Sequence, residues 1–302
     1  MIPIRNIQLL ILAHLMVIVG MVSLYNTNIN NSPNQNAYAH NFSPIESAAF
    51  LSLVTQLQVE SELVETNLAN NNISLAREHA NKVTALLTSN ITEEIAEKNE
   101  RVAKELDTAI NDLRDTTNSF SASSSLTPSQ QKQIDQLVND IDAILGEAVT
   151  TRIDLEQRDN ATIQAIAFAE SIDNILTNYG NAFSVEFDMT NMSNMDTMRM
   201  ASGNISSTST SFNTTTTPAS KLANMSDYHS AQALATKVLE IFNNELKPLA
   251  PGNSDTFMTK LEDSLAELGT SIKNKAQSME IMEIIHEQIH PNLGEAYNLQ
   301  LQ

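Results

Sequence analysis

The chain has 302 residues, with 36 acidic against 17 basic side chains and a formal net charge of −19. It contains no cysteine, which excludes disulfides, thiolate metal sites and cysteine nucleophiles. So acidic a chain is repelled by nucleic acid and by anionic lipid surfaces. Seven glycines, eight prolines and no tryptophan fit a helical protein better than a sheet-rich one.

Arg5 is the only charged residue before Glu46, and Ile7–Tyr25 is almost wholly apolar. Such an N-terminus reads as a signal peptide or a signal anchor over residues 1–39, and the apolar run is also long enough to span a bilayer. Ala37-Tyr38-Ala39 is an A-x-A cleavage pattern, after which His40 would become an N-terminal histidine able to chelate copper. Either processing route places the bulk of the chain outside the cytoplasm, membrane-anchored or secreted. Sequons at Asn30, Asn41, Asn72, Asn90, Asn160, Asn191, Asn204, Asn213 and Asn224 agree with that location and predict a glycoprotein.

Ser43-Pro44-Ile45-Glu46 is a capping box with proline at the first helical position. The helix that it opens carries Phe50, Leu53, Val54, Leu57, Val64 and Leu68 at helical spacing. A second helix from about Ser74 places Ala80, Val83, Leu86 and Leu87 on one face, with His79 beside that stripe. A third follows Thr92, with Ile95, Val102, Leu106, Ile110 and Leu113. After the Ser-rich Ser119–Thr127 linker, Thr127-Pro128-Ser129-Gln130 caps a helix bearing Ile134, Leu137, Val138, Ile141, Leu145 and Ala148. Residues 43–157 thus read as a four-helix unit, most simply an antiparallel bundle.

The pattern restarts over Asn160–Tyr179, with Gly180 as the expected C-cap. It stops at the Ser-, Thr-, Asn- and Met-rich insert of residues 182–227, read as a long loop. Helices resume with Leu234, Val238, Ile241, Phe242 and Leu246, then Phe257, Leu261, Leu265, Leu268 and Ile272. The last helix carries Met282, Ile285, Ile289 and Leu293, and Pro291 should interrupt it. Ala76–Leu113 slides onto Ala231–Leu268 without a gap at a separation of 155, and Leu145-Gly146-Glu147-Ala148 meets Leu293-Gly294-Glu295-Ala296 at 148. A period this long points to two tandem domains. The expectation is an all-α protein of two related helical units, residues 43–157 and 160–302, after an N-terminal signal or anchor helix.

Two motifs could carry chemistry. His286-Glu287-Gln288-Ile289-His290 matches HExxH, in which two histidines one turn apart hold zinc and the glutamate activates water; a metal-binding site of His286, Glu287 and His290 without peptidase activity is the preferred reading. Met189, Met192, Met195, Met198 and Met200 recur inside the polar insert, and thioether sulfur is a soft ligand suited to Cu(I). Phosphate-binding glycine loops, nucleophile elbows and obvious catalytic carboxylate pairs are absent from the sequence.

The run Ala235-Thr-Lys-Val-Leu-Glu-Ile-Phe-Asn-Asn-Glu-Leu-Lys-Pro-Leu249, then Lys260-Leu261-Glu262 and Leu265-Ala-Glu-Leu268, resembles the extracytoplasmic helical domain of high-affinity iron permeases. The two-bundle duplication is similar in outline to imelysin-like proteins. The permease Arg-Glu-x-x-Glu and the imelysin Gly-x-His-x-x-Glu motifs do not occur here. The resemblance implies an extracytoplasmic partner in metal uptake, such as a membrane transporter or another cell-surface protein. The functional expectation is therefore non-enzymatic binding or delivery of iron or copper. A cell-surface structural or interaction module is the alternative, and a zinc metallopeptidase through residues 286–290 the distant one.

Overall fold

Every regular element that the computed structural model describes is helical; it describes residues 42–121, 125–185, 221–252 and 254–299. The apolar N-terminal run, His40 and Met189, Met192, Met195, Met198 and Met200 lie outside the described residues. Among the described residues, no helix is long and apolar enough to cross a membrane.

Both sequence-read capping boxes form. Ser43 opens α1 (Pro44–Ala69) and exchanges hydrogen bonds with Glu46, and Thr127 with Gln130 does the same for α4 (Pro128–Arg152). Between them lie α2 (Ile73–Leu86) and α3 (Ser89–Ser119), so the third helix starts three residues before Thr92. α3 is kinked at Asn99, whose backbone is extended (φ −157°, ψ 98°). The Asn99 Oδ1 accepts from the backbone N–H of Arg101 at 3.2 Å, so asparagine caps a second helical start inside the element.

After the single turn α5 (Leu155–Arg158) comes α6 (Ala161–Phe183), which runs straight through Gly180. The C-cap is instead Ser184, in the left-handed conformation at φ 55°. Gly180 is buried, and burying this face outweighs its low helix propensity. Asn224 caps α7 (Met225–Ile241), which therefore begins inside the segment read as loop. Helices α8 (Asp255–Lys273), α9 (Ser278–Glu283) and α10 (His290–Tyr297) complete the chain.

Two stretches widen to π-helix, Phe242–Leu246 and Ile284–Ile289, and each ends two residues before a proline. Lys247 N–H donates to Phe242 O and His290 N–H to Ile285 O, five residues back in each case. Proline lacks the N–H and its ring collides with the carbonyl four residues earlier. A one-residue widening relieves that collision without ending the helix. Pro291 thus does not interrupt the last helix: it sits in the first turn of α10, and the chain stays helical through it.

The buried apolar side chains gather into two main clusters. One joins α1, α2, α3 and α4 through Leu57, Val83, Leu106 and Ile141. The other joins α6, α7, α8 and the last helical run through Ile172, Val238, Leu265 and Ile285. Val59 of α1 belongs to this second cluster, so α1 buries opposite faces against both. The two groups lie together in one compact unit. At the start of α1, the Arg152 guanidinium is stacked between the rings of Phe42 (4.0 Å) and Phe50 (4.2 Å).

Candidate functional site

The two candidate motifs meet the structure differently, since only the histidine pair falls among the described residues. Four residues apart on a helix that widens to π between them, the His286 and His290 rings lie edge to face with centroids 5.0 Å apart. Glu287, the would-be water activator, is exposed, whereas His290 is buried. α6 brings a third group that the motif does not contain: Asp173, whose Oδ1 lies 3.3 Å from His290 Nε2. The two atoms are close enough to pair if His290 is charged, but they are not aligned as a hydrogen bond. Asp173 Oδ1, His286 Nε2 and His290 Nε2 are all buried and have no hydrogen-bond partner.

Each such atom costs about 1–3 kcal/mol when stripped of water without a replacement. Three of them in one place mark the least satisfied polar point of the second cluster. Burial holds the His286 imidazole below its ordinary pKa, His290 pushes the same way, and Asp173 opposes. His286 therefore favours the neutral, lone-pair-bearing form that a metal requires. One turn before Asp173, burial and then the Asp173 charge raise the pKa of Glu170. As they stand, no three His, Asp or Glu side chains among the described residues are arranged to hold an ion. His286 must turn about its side-chain bonds to join the other two.

A second polar group lies where α1, α2 and α7 meet, and the sequence pointed only to His79 within it. His79 is fully buried, and its Nδ1 is 2.7 Å from Glu60 Oε2, itself on a residue only 4% exposed. Glu60 Oε1 accepts from Ser230 Oγ at 2.5 Å. Lys82 Nζ reaches Asp227 Oδ1 at 2.5 Å and donates to Ser230 Oγ at 2.9 Å. His229 lies parallel to His79 with centroids 6.2 Å apart; burial, then His79 and Lys82, lower its pKa. The carboxylates and the ammonium are mutually paired, so this group joins helices of the two clusters.

Three of the sequon asparagines have a structural role. Asn72, Asn160 and Asn224 each cap a helix N-terminus through the side-chain oxygen, with backbone N–H groups of the first turn donating. Asparagine followed two positions later by Ser or Thr is thus, here, a helix-start pattern. Comparison with protein-family models, with curated proteins and with solved structures finds no match.

Proposed function

We propose that this chain is an extracytoplasmic, non-enzymatic helical protein that binds a metal ion and hands it to a partner at the cell surface. The observation that carries the reading is the His286–His290 pair, seated against the second hydrophobic cluster with both Nε2 atoms buried and unpartnered. The apolar N-terminal run and the resemblance to iron-uptake domains supply the location and the class of partner. Iron and copper remain the ions of interest, copper through Met189, Met192, Met195, Met198 and Met200.

The same reading takes the two clusters as related units, and the phase of burial supports it. Val102, Ala103, Leu106, Ala109, Ile110, Leu113 and Thr117 of α3 fall, at a separation of 155, on Phe257, Met258, Leu261, Ser264, Leu265, Leu268 and Ile272 of α8. All of these are buried except Phe257, which is partly so. The α3 kink at Asn99 falls on Ser254, the N-cap of α8. Ile134 and Val138 match Ile281 and Ile285 at 147, while Ile141, Leu145 and Ala148 match Ile289, Leu293 and Ala296 at 148. The π-turn at Ile284–Ile289 absorbs that one-residue change of register.

The rival reading is a surface interaction module without chemistry, favoured by the want of a ready-made three-ligand arrangement among the described residues. A zinc peptidase gains no support, because Glu287 is exposed while His290 is buried. The deciding experiment is elemental analysis of residues 40–302 after exposure to Fe(II), Zn(II) and Cu(I) and then dialysis. Stoichiometric metal lost with His286→Ala/His290→Ala supports the proposal. Copper lost instead with deletion of residues 186–220 moves the site to the methionines. No retained metal favours the interaction module.

A further inference from the structure

Metal binding by the histidine pair leaves open which groups complete the site and which ion it takes. Resting on that reading, we infer that Asp173, not Glu287, is the third ligand, and that the set takes a divalent first-row ion such as Zn(II) or Fe(II) rather than Cu(I).

The argument begins with distances. An ion bound tetrahedrally at 2.0–2.1 Å holds its donor atoms about 3.3 Å apart, and the ring centres of two bound imidazoles about 5 Å apart. His290 Nε2 and Asp173 Oδ1 are 3.3 Å apart, and the His286 and His290 centroids 5.0 Å. Both separations suit a shared ion, and the proposal requires the His286 ring to rotate about its side-chain bonds so that its Nε2 joins them. Side-chain rearrangements of this size are common on binding.

The second argument is an internal control. At the separation of 148, His290 corresponds to Asp142 of α4, and at 115, Asp173 corresponds to Gln58 of α1. The latter register is set by Phe50, Val54, Leu57, Val64 and Leu68, which fall on the buried Ala165, Ala169, Ile172, Tyr179 and Phe183. In the first cluster the corresponding contact is closed, because Gln58 Nε2 donates to Asp142 Oδ1. In the second cluster the same helix–helix contact holds a carboxylate and an imidazole 3.3 Å apart that form no hydrogen bond, beside a second imidazole Nε2 that also forms none. The first cluster completes the same contact with one carboxylate, Asp142, and no imidazole. At this contact the imidazole pair belongs to one copy alone, and a cation would satisfy its two Nε2 atoms together with Asp173 Oδ1.

The donor set then selects the ion. Two imidazole nitrogens and one carboxylate oxygen suit Zn(II) and non-haem Fe(II); Cu(I) prefers sulfur. Three protein ligands leave a fourth position open, as a carrier that must release its cargo requires. Glu287 is exposed, whereas the three atoms that would meet the ion are buried.

The test is titration of residues 40–302 with Co(II), whose visible absorption reports tetrahedral nitrogen and oxygen ligation, followed by displacement with Zn(II). Wild type should bind one equivalent, and Glu287→Gln should match it. Asp173→Asn, nearly isosteric, should weaken binding about 100-fold or more and change the Co(II) spectrum. Unchanged far-UV circular dichroism and melting temperature exclude misfolding as the cause. Should Asp173→Asn prove too unstable to purify, Asp173→Gln, the side chain that stands at the corresponding contact of the first cluster, replaces it with the same readouts. If wild type binds and Asp173→Asn binds equally well, the ligand assignment fails while metal binding stands. Loss with Glu287→Gln alone would restore the HExxH set. If wild type binds neither Co(II) nor Zn(II), metal binding at this site fails altogether.

Discussion

Replacing His79 by leucine removes one partner from the Glu60–His79 pair and leaves a carboxylate at a position 4% exposed. Breaking a buried pair in this way costs about 3–5 kcal/mol, because the remaining charge has lost both water and its counter-group. Glu60 keeps two partners, Ser230 Oγ at 2.5 Å and Lys82 Nζ at 3.9 Å, so the lower end, about 3 kcal/mol, applies. For a chain of this size each kcal/mol lowers Tm by about 2–4 °C, which gives a loss of roughly 6–12 °C. The double variant Glu60→Leu/His79→Leu should melt close to wild type. Replacing a whole buried pair by apolar residues is neutral or stabilising, and Lys82 retains Asp227. Thermal unfolding of residues 40–302 at pH 7, followed at 222 nm, measures all three proteins. A single variant that melts within 2 °C of wild type, or a double variant as unstable as the single, refutes the reasoning.

Three further outcomes follow from the same structure. Tyr179→Phe removes the donor to the Ala276 carbonyl, a bond of 2.5 Å, and should destabilise by about 1–2 kcal/mol in urea unfolding at unchanged m-value. Arg152→Ala empties the slot between Phe42 and Phe50 and removes the partner of Glu94, so it should cost about 2 kcal/mol. It should also speed amide exchange across Ser47 and the rest of the first turn of α1. Burial, and then the Asp173 charge, raise the pKa of Glu170 above its ordinary 4.5 in the folded protein. The folded state then binds the proton more tightly than the unfolded state, so this group subtracts stability as pH rises through its folded pKa. Glu170→Gln should therefore raise Tm at pH 7, with the gain shrinking toward pH 4; an equal gain at both values would contradict that account.

Much of the architecture is local and was therefore legible in the residues. Ser43 with Glu46 and Thr127 with Gln130 form their capping boxes within four residues of chain, so the starts of α1 and α4 could be read directly. The apolar stripes of α3 and α8 repeat every three or four residues, which fixes both the helical state and the buried face. His286 and His290 are one turn apart, so their proximity too was local information. Gly180 and Pro291 misled because their intrinsic preferences are small beside what the fold gains by keeping the helix: a buried face at the glycine, a widened turn at the proline. Asp173 was invisible as a partner of His290, since on α6 it is one more acidic residue in an acidic chain. The signal was a carboxylate beside the buried Ile172, on a helix otherwise lined by Ile, Ala and Phe. Glu60, Ser230 and His79 come from three helices, and no spacing rule relates them. The sequence by itself determined the helices and the faces they bury, because caps and periodicity act over a few residues. Only the tertiary structure decided which polar groups those faces trap together, because that depends on packing between different helices, over separations from 19 residues for Glu60 and His79 to 170 for Glu60 and Ser230.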